Sequence, residues 1–138
     1  MKKIFYFIFV FSFLIFLISF GIAFFKNKAI YTETFFANVN ISNVNRVIGI
    51  DVNSSALTFG QLSAGGGSSR KIILRNNYSF PIVVKTKVEG DIVQLISFND
   101  NIRIEAGEEM KIPFYISAGE DTNEGFYSGI VRLDVVPA

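Results

Sequence analysis

An uncharged run of 22 residues, 4–25, opens the chain and limits what it can fold into. As an α-helix this run is about 33 Å long, which is close to the hydrocarbon thickness of a bilayer. Two lysines, Lys2 and Lys3, precede the run, and Lys26 and Lys28 follow it. Because the run is apolar on every side, a helix buried in a protein core is the remaining alternative. The sequence therefore predicts an N-terminal signal-anchor or transmembrane helix over residues 1–25.

A cleaved secretory signal is the competing interpretation of this run. Such signals have an apolar stretch of about 7–15 residues and a small-residue cleavage site. The run is longer than that, and bulky phenylalanines follow its one tolerable cleavage pattern at residues 21–23. A pilin-type signal would need a glycine just before the run, where Lys3 stands. Since a very short N-terminal tail usually stays inside, the C-terminal domain is predicted to be extracytoplasmic on the cell membrane.

The chain after the run indicates short strands separated by turns. Residues 26–45 are predicted to form a juxtamembrane linker or an edge strand. From residue 46 onward the apolar segments alternate with turn residues, and no amphipathic helix is evident. Candidate strands lie at 47–52, 57–60, 71–75, 82–88, 92–98, 102–104, 112–116 and 126–136. The predicted fold of residues 46–138 is mainly β, an antiparallel β-sandwich of seven to eight strands.

Strict alternation identifies the side chains that should be buried. In residues 82–88, the apolar positions share one face and the lysines share the other. Pro113 interrupts another alternating segment and indicates an edge position or a bulge. The residues predicted to face the core are Ile72, Leu74, Ile82, Val84, Phe114, Val131 and Leu133. Those predicted to face water are Lys85, Lys87 and Arg132.

The composition removes most of the groups on which catalysis depends. The chain has no Cys and no His, so thiolate and imidazole chemistry are excluded. The segment 121–125 is faintly similar to a calcium loop but lacks the roughly twelve-residue EF-hand spacing. The glycine-rich segment 65–71 leads into a strand, where a phosphate loop would enter a helix. We expect no enzyme, no cofactor and no small-molecule substrate, and a net charge of +1 does not favour nucleic acid.

Three sets of residues are candidates for contacts or modification. Five cations could form a basic stripe on one sheet face that binds an acidic partner. Alternatively, they are ordinary charged residues on the solvated face or edge of a sheet. The cations of this possible interaction patch are Arg70, Lys71, Arg75, Lys85 and Lys87. Three Asn-x-Ser sequons lie in predicted turns or linkers and could accept glycans. The sequon residues are Asn40, Asn53 and Asn77. The possible edge-strand contact residues are Ile48 and Ile50.

The order of these features resembles immunoglobulin-like modules of prokaryotic, chiefly archaeal, cell-surface proteins. The similarity covers about residues 52–137. Its elements are Phe59-Gly60-Gln61-Leu62, the basic-apolar segment 71–75, Asn76-Asn77, the segments 81–84 and 104–108, and the Gly125-x-Tyr127-x-Gly129 entry to the last strand. Each motif is mostly turn chemistry, so the resemblance implies the fold far more than the function.

Together with the missing catalytic groups, the predicted anchor and sandwich indicate a non-catalytic envelope protein that acts as a structural or protein-binding module through a β-surface. One anchor joined to one such domain also looks like the archaellum stator proteins. That likeness implies, as an alternative, a stator or pilus assembly subunit that binds a surface layer. An accessory domain of an envelope enzyme, or a chaperone, is the alternative from a different class.

Overall fold

Eight β-strands in two sheets follow one N-terminal helix. The computed structural model describes residues 2–26, 28–43 and 56–138. The elements in order are α1 (Lys2–Lys26), β1 (Tyr31–Ile41), β2 (Ala56–Leu62), β3 (Gly67–Arg75), β4 (Ile82–Gly90), a 3₁₀ helix (Asp91–Gln94), β5 (Ile96–Phe98), β6 (Asn101–Ile104), β7 (Glu109–Ser117) and β8 (Gly125–Pro137). The predicted mainly β, two-sheet architecture is confirmed.

Helix α1 exposes its apolar side chains. Every described side chain from Ile8 to Phe20 is exposed, and Phe9 and Phe16 keep 71% and 62% of their surface accessible. Among the residues whose side chains the structure describes, no helical stretch is long and apolar enough to count as a membrane crossing. The apolar surface of α1 is therefore not covered by the sandwich.

The strands form a five-stranded sheet and a three-stranded sheet. The larger sheet has the order β2-β1-β8-β4-β6, and the smaller has the order β3-β7-β5. All the described pairs are antiparallel except β1 and β2, which are parallel. The prediction of an antiparallel sandwich is wrong for this one pair. Alternating hydrophobicity shows which face of a strand is buried, but it does not show the direction of the neighbouring strand.

Strand β1 corrects the prediction for residues 26–45. It is a strand paired with β8 over its whole length, from Tyr31 to Ile41, so it is not a linker. From Phe36 onward it also pairs with β2 and is interior, whereas Tyr31 to Phe35 have β8 as their one described neighbour. The buried side chains of β1 are Phe35, Ala37, Val39 and Ile41. Asn38 and Asn40 alternate with these apolar residues and face the other way. Because of these polar residues, the segment was predicted to be a linker. Ile48, Ile50 and the predicted strand 47–52 lie outside the described residues.

The predicted strand 92–98 divides into a 3₁₀ helix and the short strand β5. Gly90 ends β4 with φ of 101°, a conformation that favours glycine. A Cβ on Gly129, its partner on β8, would lie 2.7 Å from Cγ2 of Ile92 and closer still to the carbonyl of Glu89. The 3₁₀ helix can therefore pack Ile92 against the two strands only because both positions lack side chains.

The core lies between the two sheets, as the alternation predicts. Six of the seven residues predicted to face inward are buried, and Leu74, near the end of β3, is partly buried. Phe114 on β7 is fully buried, and its ring centroid lies 6.2 Å from that of Phe98 on β5. Lys87 is exposed, while Lys85 and Arg132 are partly exposed, on the outer face of the larger sheet.

The predicted edge position of Pro113 is confirmed only locally. Its strand, β7, is the middle strand of the smaller sheet, but β5 pairs with β7 only from Phe114 to Ile116. The Ser117 N–H donates to the carbonyl of Leu95 on the β5 side. Alternation along a strand puts the Pro113 nitrogen on that same side, just beyond the end of β5. Its missing N–H therefore removes no bond from the ladder.

Replacing Phe114 with Ala should lower the free energy of unfolding by about 3–5 kcal/mol, because a fully buried ring would leave a cavity. Urea denaturation of the full chain in detergent measures this change. The adjacent Tyr115 is 51% exposed and provides the matched control. Its replacement with Ala should cost less than about 1 kcal/mol. Equal losses for the two variants would contradict the observed strand register.

Candidate interaction surfaces

Three apolar side chains project from the outer face of the larger sheet. We call Phe36, Phe126 and Ile130 the outer apolar patch; they are 68%, 66% and 40% exposed. Phe36 on β1 stands directly opposite Ile130 on β8, and Phe126 stands opposite Asn40. The even-numbered residues of these strands face outward because the odd-numbered ones fill the core. The patch is thus held on β1 and β8, which pair with each other along all three of these positions.

Charges on this face are confined to one half of it. Asp134 on β8 accepts a 2.8 Å hydrogen bond from the Thr32 hydroxyl, and lies 3.9 Å from Lys87 Nζ and 3.5 Å from Arg132 Nε. The register places the remaining charged outward residues on β4 and β6: Lys85, Glu89 and Arg103. The outward residues of β1 and β2 in the paired rows are all uncharged: Thr32, Thr34, Phe36, Asn38, Asn40, Ala56, Thr58 and Gln61.

The five cations predicted to form one basic stripe do not share a face. Lys71 and Arg75 alternate outward on β3 of the smaller sheet. Lys85 and Lys87 face outward on β4 of the larger sheet, on the opposite side of the sandwich. Arg70 alternates with the outward residues of β3 and is partly buried. The prediction assumed a single face, but β3 and β4 belong to different sheets.

The edges of both sheets are short or tied together. On one side, Arg70 Nε donates a 2.8 Å hydrogen bond to the carbonyl of Thr58, which joins the β3 edge to the β2 edge. On the other side the edges are β5 and β6, of three and four residues. Short edge strands offer few groups to an added strand. Among the described residues, β5 and β6 are therefore poor edges for an added strand, while β2 and β3, of seven and nine residues, are longer edges held to each other at the Arg70 contact.

The sequons lie in three different settings. Asn40 is on β1, facing outward between Gln61 and Phe126, so its predicted place in a linker or turn is wrong. Asn77 is exposed in the loop between β3 and β4, as predicted. Asn53 lies outside the described residues.

A residue that the sequence did not single out fixes the loop that carries Asn77. Asn76 is completely buried, and its Nδ2 donates to the carbonyls of Phe80, Ile104 and Glu105 at 2.9, 3.1 and 3.0 Å. Its Oδ1 accepts from the Tyr78 N–H at 3.0 Å. The amide thus joins the β3–β4 loop to the β6–β7 loop. In the sequence, Asn76 was noted only as part of a turn next to the Asn77 sequon, and its burial was not predicted.

An acidic depression of about 410 Å³ lies at the end of the sandwich opposite that loop. Its lining includes Glu120, Asp121, Leu95 and Tyr127. The Tyr127 hydroxyl donates to the Asn123 carbonyl at 2.9 Å, so one oxygen of the segment 121–125 already has a partner. Within the described part of the chain, no three carboxylates are grouped where they could hold a metal ion.

No family model, curated protein or solved structure matches this chain. The functional proposal is therefore based on the geometry of the two sheets and of their outer surfaces.

Replacing Asn76 with Ala should lower the free energy of unfolding by about 2–4 kcal/mol, because buried carbonyls lose their donor. Its neighbour Asn77 supplies the matched control, since it is exposed on the same loop. Replacing Asn77 with Ala should change stability by no more than about 0.5 kcal/mol. Chemical denaturation of both variants checks this; a near-neutral Asn76 variant would show that the amide network does not hold the loop.

Proposed function

We propose that this protein is a membrane-anchored, non-catalytic module of the cell envelope. Its β-sandwich associates with protein through the outer face of the five-stranded sheet. The observation that carries this proposal is the outer apolar patch, whose two phenylalanines are about two-thirds exposed on rigid central strands. Phe36 and Ile130 form one cross-strand pair, and Phe126 lies four residues from Ile130 on β8, beyond Asn38 and Ser128. Large exposed apolar side chains on a sheet face are typical of protein contacts.

The anchor part of the proposal is supported by the helix and its surroundings. Helix α1 has 25 residues, and no charged residue occurs between positions 4 and 25. A helix of that length extends about 37 Å, enough for the hydrocarbon core of a bilayer. Its described apolar side chains are exposed, and lipid is the solvent that would cover all of them at once. We place the sandwich outside the cell, on the C-terminal side of the anchor.

The immunoglobulin-like resemblance is kept as part of the proposal. Two sheets enclosing one core, with mostly antiparallel pairing, are compatible with that class. The motif residues occupy fitting places: Gly107 has a φ of 78° in the β6–β7 turn, and Gly129 lies at a close backbone contact. The parallel pair of β1 and β2 is an addition to the antiparallel pattern that the resemblance implied.

We propose a second copy of this chain as the partner. A two-fold axis parallel to the strands keeps both anchors on one side and closes the assembly as a dimer. If this axis passes between β1 and β8, the charged outward residues Arg132 and Asp134 of β8 in one copy face the uncharged Thr34 and Thr32 of β1 in the other. Phe36 of each copy then meets Ile130 of its partner. The distribution of charge on the face therefore permits stacking without opposing like charges.

The contact is centred on β1 and β8. With the axis between them, these two strands of each copy face each other over the eleven rows that they share, and β6 lies outside the overlap. At about 4.8 Å between strands and about 3.3 Å per residue, this overlap covers roughly 350 Å² on each copy, which is less than the roughly 800 Å² of a standard interface and indicates a weak dimer. Two stacked sheets would be aligned within about 30°, as in ordinary sandwich packing.

The anchoring is tested by fractionation. We expect the full chain to resist carbonate extraction from membranes, with its sandwich cleaved by protease added outside the cell. An anchor retains membrane association because its helix is held by the hydrocarbon and not by surface charge. A soluble product with a new N-terminus near Phe24 would contradict the proposal and support a cleaved signal.

Self-association is tested by a charge in the outer apolar patch. Replacing Phe36 with Asp should convert the dimer to a monomer in detergent, measured by light scattering, because two carboxylates would lie near the two-fold axis. The control is Tyr115→Asp, which adds the same charge at a 51% exposed ring on the other sheet. This control should leave the dimer intact. A monomeric parent protein, or a Phe36→Asp variant of unchanged size, would refute the second copy as partner.

A further inference from the structure

The connection between helix α1 and strand β1 is short, and its length determines which end of the sandwich lies nearest the proposed anchor. Helix α1 ends at Lys26, and the N–H of Ile30 already donates to the carbonyl of Val135 at 2.8 Å. Four residues of chain span at most about 14 Å. If α1 is in a bilayer, as proposed above, the end of the sandwich where β1 begins lies close to the membrane surface.

The loop between β3 and β4 is at that same end. Tyr31, the first residue of β1, pairs with Val135, and Ile82, the first residue of β4, pairs with Pro137. The N–H of the C-terminal Ala138 donates to the carbonyl of Pro81 at 3.0 Å. Loop residues 76–81 therefore lie beside the start of β1.

This loop presents two aromatic rings to solvent. Tyr78 and Phe80 are 40% and 39% exposed, and their ring centroids are 5.2 Å apart. Their positions are fixed, because the Asn76 side chain bonds the Tyr78 N–H and the Phe80 carbonyl. At the start of β1, Ile30 and Tyr31 are also exposed. An apolar surface is thus held at the end of the sandwich nearest the anchor.

Two acidic groups near the loop form bonds within the protein, while Glu109, opposite Arg75 at the start of β7, is exposed. Glu105 accepts a 2.8 Å charged hydrogen bond from Arg103, and the Glu108 carboxylate accepts the Glu105 N–H at 2.9 Å. These bonds lessen the repulsion that free carboxylates would have from anionic head groups. Tyrosine, with an apolar ring and a polar tip, suits the boundary between head groups and acyl chains.

We infer that Tyr78 and Phe80 insert into the interfacial layer of the bilayer that holds α1, as a second membrane contact of the sandwich. This inference rests on the proposed anchoring. The contact would restrict the tilt of the sandwich relative to the membrane, because it adds a fixed point separate from the chain connection.

The chain contains no Trp, so a single introduced Trp reports one position without background. The Phe80→Trp variant of the full chain is reconstituted into phosphatidylcholine–phosphatidylglycerol vesicles that contain lipids brominated near the head group. The control is Val93→Trp, on the 48% exposed residue of the 3₁₀ helix at the opposite end of the sandwich. We expect several-fold more quenching for Phe80→Trp, with a blue-shifted emission. Equal quenching of the two variants, in protein that floats with the vesicles, would overturn the inference and leave the anchoring intact.

Lengthening the connection between α1 and β1 tests whether the two rings bind the membrane interface themselves or are only held near it by the short connection. Inserting about ten Gly and Ser residues after Asn27 adds up to about 35 Å of reach. Quenching of Phe80→Trp should largely persist, because the rings favour the interface themselves. A fall to the Val93→Trp level would overturn the inference. Failure of the protein to float with vesicles would refute the anchoring itself, and so the two failures are distinguishable.

Discussion

The pairing of β1 with β8 is the interaction on which the rest of the sandwich depends. Eleven residue pairs join these strands, from Tyr31 with Val135 to Ile41 with Gly125. β1 then supports β2 on its other side, while β8 supports β4. Without β1, β2 would have no partner in the larger sheet. The eleven residues of β1 thus contribute four side chains to the core and directly follow the connection to α1.

Alternation in the sequence predicted the strands that carry a clear two-residue period. β4, β7 and β8 lie where they were expected, and their inward residues Val84, Phe114 and Leu133 are buried. The prediction failed where polar residues shared a strand with the core. In β1, Asn38 and Asn40 occupy the outward positions and gave the segment the composition of a linker. Strand direction and sheet membership could not be predicted either, since they depend on contacts between residues far apart in sequence. For that reason, the five cations predicted to form one basic stripe lie on two different sheets.

The candidate surfaces were predictable to a smaller degree. Phe36 and Phe126 were visible as aromatic residues, but only the register places them on one face with Ile130. Asn76 and Asn77 are adjacent and chemically identical, yet one is completely buried and the other exposed. The burial of Asn76 depends on carbonyls at the β6–β7 loop, and the residues next to Asn76 in sequence do not indicate these contacts. A glycan on Asn77 and lipid contact by Tyr78 would compete, since a bulky hydrophilic group on this loop would keep its rings from the membrane.

The position of β1 also has a mechanical consequence. If α1 is held in a membrane, as proposed, a force that pulls the sandwich away from it enters the fold at Tyr31, along the axis of β1. The hydrogen bonds of that strand are perpendicular to its axis, so the load is a shear shared by all of them together. An edge strand pulled from one end across its axis would instead lose its bonds one after another. With α1 as an anchor, tension would therefore be distributed over the eleven-residue ladder between β1 and β8 and, from Phe36 onward, over the ladder with β2 as well.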